Sequence, residues 1–297
     1  IFNIPNGTTL TFKNAIVSSS HGPTYSNYWY DLYNKGTLIV NNVTFKYNSP
    51  DRTYGGEIWT GVNSTLTVTD SVFDGEHTVR SQIYADGLNY NINIDKCTFK
   101  NYNASNAAIG LNKAGNLTVT NSIFQDNLET SYGGGIYINA RDSVVLIDNC
   151  TFENLIANYR GGGIYTQGIT TVKNSVFKKL RQKNPTYNAG AIYQSNNYAV
   201  LTLSNNTMED IVANAANIYI EGGKLNSSLY VTGADVAVDQ ESPVTLTYNV
   251  TDDMGNSIDF KNSPFIMSIN DERITTTFGN GTLSAAFDAS YDPGEYP

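Results

Sequence analysis

Little in this chain is arranged for bond-breaking. His21 and His77 are its only histidines, and neither has a partner at a spacing that builds a nucleophile or a metal site, so both read as loop residues. The one Asp-Asp pair, Asp252-Asp253, falls in a turn-forming stretch, whereas glycoside hydrolysis needs carboxylates clustered on adjacent strands. Acidic residues gather most densely as Asp51, Glu57, Asp74, Glu76 and Asp86. Neighbouring turns of a coiled chain would bring these together, as a solvated surface, as oxygen donors to calcium or a polar ligand, or as catalytic groups. Calcium is the one cofactor this leaves open; no metal site and no catalytic residue is assigned. Cysteine is limited to Cys97 and Cys150, too few for a disulfide scaffold or a Cys-rich metal centre. What the chain has in quantity is aromatic side chains, 21 Tyr, 12 Phe and 2 Trp, whose chemistry is stacking.

Composition excludes several classes. The 297 residues carry 18 Lys+Arg against 27 Asp+Glu, a net charge of -9, which is the wrong sign for following phosphates or lying on anionic lipid. Neither nucleic acid nor membrane contact is expected. No apolar run approaches the ~18 residues of a spanning helix, and the chain opens at Ile1 without a charged-then-apolar leader, which reads as a segment of a longer protein. Apolar residues make up 40%, enough for one or two cores. The excess of Asn, Gly and Tyr points to turns and stacked polar ladders rather than helices.

A repeat would position the aromatics. The pattern apolar-x-apolar-x-Asn-small-x-Phe recurs as TLIVNNVTF (37–45), TLTVTDSVF (65–73), NINIDKCTF (91–99), NLTVTNSIF (116–124), VVLIDNCTF (144–152), TTVKNSVF (170–177) and VLTLSNNTM (200–208). Between these blocks a second one, small-small-x-Ile-Tyr, places Ile58, Ile83, Ile109, Ile136, Ile164, Ile192 and Ile218. Both keep a period of about 26 residues, with apolar positions alternating by two, so the unit is strands and turns. A unit this short buries its apolar side only by stacking on the next. The expectation is an all-β chain in which residues 1–228 form a right-handed parallel β-helix of about eight coils, each ~4.8 Å thick.

The same pattern fixes local geometry. Side-chain parity changes between Val119 and Phe124, so the chain must bend at Asn121 and at Asn14, Asn42, Asn149, Asn174 and Asn205, where Asn tolerates the left-handed region. Asp70 and Lys96 interrupt this corner, Lys96 as a weak step. Cys97 and Cys150 share one repeat position with Ser122 between them, roughly 9.5 Å apart at two strand spacings. A disulfide spans at most about 7 Å between Cα atoms, so two inward-facing thiols and no disulfide are expected.

After Tyr219 the period fails. Val244, Leu246, Tyr248 and Val250 alternate, a turn follows at 252–256, a strand is expected near 265–269, and Asn280-Gly281 marks a tight hairpin. Residues 229–297 read as a small Ig-like β-sandwich lacking its last strand. The stacked N-[SC]-x-F and GGGIY blocks resemble the right-handed β-helix repeats of cell-surface adhesins, polymorphic outer-membrane and autotransporter passengers included. PVTLTYNVTDDMGN (243–256), GTLSAAF (281–287) and DPGEYP (292–297) resemble tandem Ig-like modules of bacterial and archaeal surface proteins. The combination most closely resembles the adhesin-like proteins of methanogenic archaea. That resemblance implies an extracellular, cell-surface address and attachment to a surface protein or glycan of another cell. Polysaccharide lyases, hydrolases and pectin esterases share the solenoid fold, but none of their motifs is found.

If the isoleucine of the second block points inward, the next residue points out. Tyr30, Trp59, Tyr84, Tyr137, Tyr165, Tyr193 and Tyr219 then form one outward file, broken at Gly110. The file is either a stacking ladder for the coils or a recognition face. Its N-terminal end is the better recognition face, because the flanking outward positions there are Glu57 and Gln82 rather than the Gly and Ala found later. Tyr30, Trp59, Tyr84, Glu57 and Gln82 are therefore the expected ligand-binding set, with Tyr25, Tyr33, Tyr47 and Tyr54 in neighbouring loops. Of ten Asn-x-Ser/Thr sequons, the corner sites Asn42, Asn149 and Asn205 are expected to be too packed to modify, and Asn63 and Asn103 are the better glycosylation sites. The resulting expectation is a non-enzymatic adhesin acting through the β-helix flank. A carbohydrate-active enzyme and a purely structural envelope protein are its rivals.

Overall fold

The computed structural model describes residues 2–19, 30–47, 56–75, 81–102, 107–127, 130–186, 190–234, 236, 242–269 and 271–288, and among them every regular element is a strand. Two long parallel sheets wind into a β-solenoid. One, of ten strands, carries the isoleucine block from Tyr30–Asn34 and Gly56–Thr60 through Ile218–Ile220. The other, of fifteen strands, carries both arms of the Phe block. Thr9–Ser19 and Thr37–Tyr47 run through both arms as single strands, whereas later turns divide them, as in Thr65–Thr69 and Val72–Asp74. The described strands make about seven turns rather than eight.

The register follows both repeat blocks. Ile58, Ile83, Ile109, Ile136, Ile164, Ile192 and Ile218 pair in succession. So do Phe45, Phe73, Phe99, Phe124, Phe152, Phe177 and Met208. The six Phe rings are fully buried and stack face to face, with centroids 4.7 Å apart for Phe45 and Phe73 and 4.8 Å for Phe124 and Phe152. Burying each such ring stabilises the fold by about 1.5–3 kcal/mol, so the stack is a principal term.

The corner lies where parity required it. Asn14, Asn42, Asp70, Lys96, Asn121, Asn149, Asn174 and Asn205 all have φ between 49° and 53°. Their side chains bond from turn to turn, Asn42 Nδ2 donating to Asn14 Oδ1 at 2.8 Å and Asn149 Nδ2 to Asn121 Oδ1 at 2.7 Å. A second left-handed corner follows the Phe stack at Asn101, Asp126, Asn154, Lys179 and Asp210, and sequence reasoning missed it. Strict alternation breaks at a third place. The N–H groups of Glu57 and Ile58 both donate to the Gln82 carbonyl, and those of Gly135 and Ile136 both to Gly163, so a β-bulge recurs before the isoleucine. Two successive side chains there face the core.

Past the solenoid, Tyr230–Gly233, Pro243–Thr251, Thr282–Asp288 and Thr276–Gly279 form a four-stranded antiparallel sheet, in that order. Asn280 and Gly281, at φ 54° and 73°, make the expected tight hairpin. Met267–Ile269 pairs separately with Glu272–Ile274. Ile258–Phe260, from the segment beyond 228, pairs parallel with Ile218–Ile220 and so continues the solenoid's own sheet. The segment DPGEYP lies outside the described residues.

Candidate functional site

The first turns position the aromatic file. Gly56–Thr60 holds Trp59 and Ile83–Ala85 holds Tyr84, each outward of a fully buried isoleucine. One turn earlier Leu32 pairs with Ile58, so Tyr33, not Tyr30, stands beside Trp59. Their rings are 5.9 Å apart. Tyr30 is opposite Gly56, only 1% exposed, with its ring parallel to Tyr84 at 6.2 Å. The reason is that Leu32-Tyr33-Asn34 repeats the apolar-aromatic-polar order of Ile58-Trp59-Thr60, and seating Leu32 in the core sets the register. Trp29, Tyr25 and Tyr54 lie outside the described residues.

Glu57 and Gln82 do not flank this file. They are 1% and 0% exposed, and at Glu57 the bulge turns the side chain into the core with the isoleucine that follows. In later turns the same position faces the Phe stack so closely that a Cβ on Gly135 would lie 2.6 Å from the Phe152 ring. Gly and Ala there are a packing requirement.

Along the file the environment changes. Tyr33, Trp59, Tyr84 and Tyr137 are half-buried, whereas Tyr165, Tyr193 and Tyr219 are buried. Tyr132, on a short parallel sheet of Thr130–Tyr132, Ile156–Arg160 and Arg181–Gln182, packs against Tyr165 at 5.4 Å. The Arg160 guanidinium covers the Tyr193 ring at 4.8 Å and pairs with Glu221 at 3.4 Å. Burial, reinforced by the Tyr165 and Tyr132 hydroxyls, pushes the Tyr137 phenol up to about 12. For Glu221 burial works upward, but hydrogen bonds from Tyr193 and Ser195 and the charge of Arg160 outweigh it and leave the carboxyl below its ordinary value. At the break in the file, a Cβ on Gly110 would meet the Tyr84 ring at 3.2 Å, so Tyr84 leans across the gap.

The three described members of the acidic group are each engaged separately. Glu57 is in the core, Asp74 pairs with Lys100 at 3.1 Å, and Asp86 accepts from Asn112 Nδ2 at 2.7 Å. Asp51, Glu76 and both histidines lie outside the described residues. Among the described residues no three His, Cys, Asp or Glu side chains converge as a metal site. Cys97 and Cys150 are buried free thiols. The corner sequons Asn42, Asn149 and Asn205 are exposed rather than packed, with their amides held in the ladder. Asn63 is exposed at φ 54°, and Asn103 lies outside the described residues.

No protein-family profile matches the chain, and no solved structure matches it. One curated protein, a metabotropic glutamate receptor-like protein R of Dictyostelium discoideum, is 30% identical over 146 residues, 48% of this chain. The chain spans only 9% of that protein's length.

Proposed function

We propose that this chain is a non-enzymatic, extracellular cell-surface adhesin that engages a glycan or surface protein of another cell through Tyr33, Trp59 and Tyr84. The observation that carries this reading is the change along one file: late rungs are covered by Tyr132 and Arg160, while the first rungs keep part of each ring open. Rings fixed on adjacent strands, ~4.8 Å apart, lose little freedom on stacking against a sugar or an apolar patch. The finer structural readings belong to the same proposal. A right-handed winding is the hand taken by nearly all parallel crossovers. The Ig-like character of residues 229–297 and kinship with the adhesin-like proteins of methanogenic archaea rest on the motifs quoted above. The likeness to a receptor-like protein accords with a recognition role.

A purely structural role has its own support in the buried stack Tyr165, Tyr193 and Tyr219, with centroids 5.6 and 5.3 Å apart. Binding of the chain to a glycan array and to whole cells, beside a Trp59→Ala, Tyr84→Ala variant with unchanged circular dichroism, separates the two. The adhesin reading requires saturable binding that the variant loses by about 10-fold or more. Equal binding by both proteins, or none by either, favours the structural role.

A further inference from the structure

From Asn154 to Met208 the chain carries six Lys and Arg and no Asp or Glu, in a protein whose net charge is -9. Four of the six lean on carboxylates outside that stretch: Lys173 on Asp148 at 3.2 Å, Lys178 and Lys179 on Glu153 at 3.0 and 3.6 Å, and Arg160 on Glu221 at 3.4 Å. The other two, Arg181 and Lys183, stand at the edge of the short parallel sheet. Both are exposed and Gln182 between them is buried, so alternation puts them on one outer face, ~6.6 Å apart along the chain. Among the described residues no carboxylate pairs with Arg181.

Lys183 also lines a cleft of about 460 Å³, together with Asn158, Tyr159, Asn184 and Pro185. That volume lies in the range of small-molecule sites. The lining is held in place by its own chain. The N–H groups of Lys183 and Asn184 donate to the Ala157 and Asn158 carbonyls at 2.9 and 3.1 Å. Gln182 Nε2 donates to the Asn184 carbonyl and Asn214 Nδ2 to the Pro185 carbonyl. The Tyr159 ring is set against Tyr132 at 5.3 Å. The side-chain amides are less committed. Among the described residues the Asn158 side chain makes no hydrogen bond, and Asn184 uses only its Oδ1, accepting from the Thr186 N–H at 3.0 Å.

Two amides on neighbouring strands beside a fixed aromatic ring suit a pyranose. Its C–H face stacks on the ring, and each amide offers both donor and acceptor to hydroxyls. A guanidinium close by adds a planar fork that matches a carboxylate or sulfate group.

We propose that this cleft binds an acidic sugar of a glycan, with the ring on Tyr159, hydroxyls on Asn158 and Asn184, and the anionic substituent on Arg181. The site lies several turns beyond Tyr33, Trp59 and Tyr84. The inference holds whether or not that flank binds another cell.

The test is titration calorimetry of the full chain at low and physiological salt with three disaccharides that differ in one terminal group: a glucuronate, a 6-sulfated glucose and a neutral glucose. The parent chain is expected to bind at least one acidic disaccharide about 10-fold more tightly than the neutral one, a preference that shrinks as salt rises. Which of the two it takes distinguishes a carboxylate from a sulfate ligand. Asn158→Ala should weaken binding of the acidic sugar about 10-fold, and Arg181→Gln should remove most of the preference for it, both with an unchanged melting temperature. Trp59→Ala, Tyr84→Ala should leave this binding as it is, which separates the cleft from the flank. Equal affinity for acidic and neutral sugars overturns the proposal. So does an absence of binding, or binding that Asn158→Ala and Arg181→Gln leave unchanged.

Discussion

Cys97 and Cys150 occupy the corner position that Ser71, Ser122 and Ser175 fill in neighbouring turns, and their backbone N–H groups donate to Ser122 and Ser175 hydroxyls at 3.1 Å. Burial pushes the two thiols up to about 12 and about 11, far from the thiolate form. Ellman's reagent at about pH 8 should therefore find no thiol in the native chain and two in denaturant; rapid native reaction would mean that the corner opens. Carboxylates on the surface act with the opposite sign. Hydrogen bonds from Thr120 and Asn121 hold Asp95 below the ordinary carboxylate value, and one from Asn174 does the same for Asp148. A lowered folded value means stability that is complete above the unfolded value and lost as pH falls through the folded one. Asp252 and Asp259, raised by burial, favour the folded state at low pH and lose that contribution as pH rises through their raised values. Urea midpoints measured from about pH 5 to 2.5 should fall less steeply in an Asp95→Asn, Asp148→Asn variant than in the parent chain.

Corners and stacks decide stability at the level of the element. Lys96 and Lys179 sit at φ 52° and 53°, a region that a side chain other than Asn or Gly enters at a cost of about 1 kcal/mol. Lys96→Asn should raise stability by about that amount in chemical denaturation. Phe124→Ala, in the middle of the stack, should lower it by about 3–5 kcal/mol. The corner and the stack were legible because residue type and period said the same thing. The bulge was not, since two N–H groups sharing one carbonyl leave no trace in hydrophobic alternation, and so Glu57 and Gln82 read as surface. Tyr33 was misplaced for a related reason. The first turn lacks the small-small-x-Ile-Tyr block, and only the burial of Leu32 settles which aromatic joins Trp59. The second corner did have a signal, in the Asn or Asp two residues after Phe99, Phe124 and Phe152.

Taken as a molecule, the solenoid is closed at its late end by its own continuation. Ile258–Phe260 covers the edge of Ile218–Ile220, Asn256 Nδ2 donates to the Asn206 carbonyl at 2.6 Å, and the Asn205 N–H donates to Asp253 at 2.8 Å. A chain ending at residue 228 should expose that edge and self-associate, which light scattering after size exclusion will register. A monodisperse monomer with an unchanged melting temperature would show that the cap is dispensable.

The rungs hold although the units differ in length. Phe99 and Phe124 are 25 residues apart and Phe177 and Met208 are 31, yet each pair is aligned. The surplus is taken up between strands. In a gene this means that unequal exchange between copies of the unit, adding or deleting one whole turn, restores the same neighbours on both sides of the join. A one-codon insertion inside a strand instead inverts every side chain up to the next corner. Inheritance can therefore change the reach of this molecule in whole turns while leaving its core chemistry as it was.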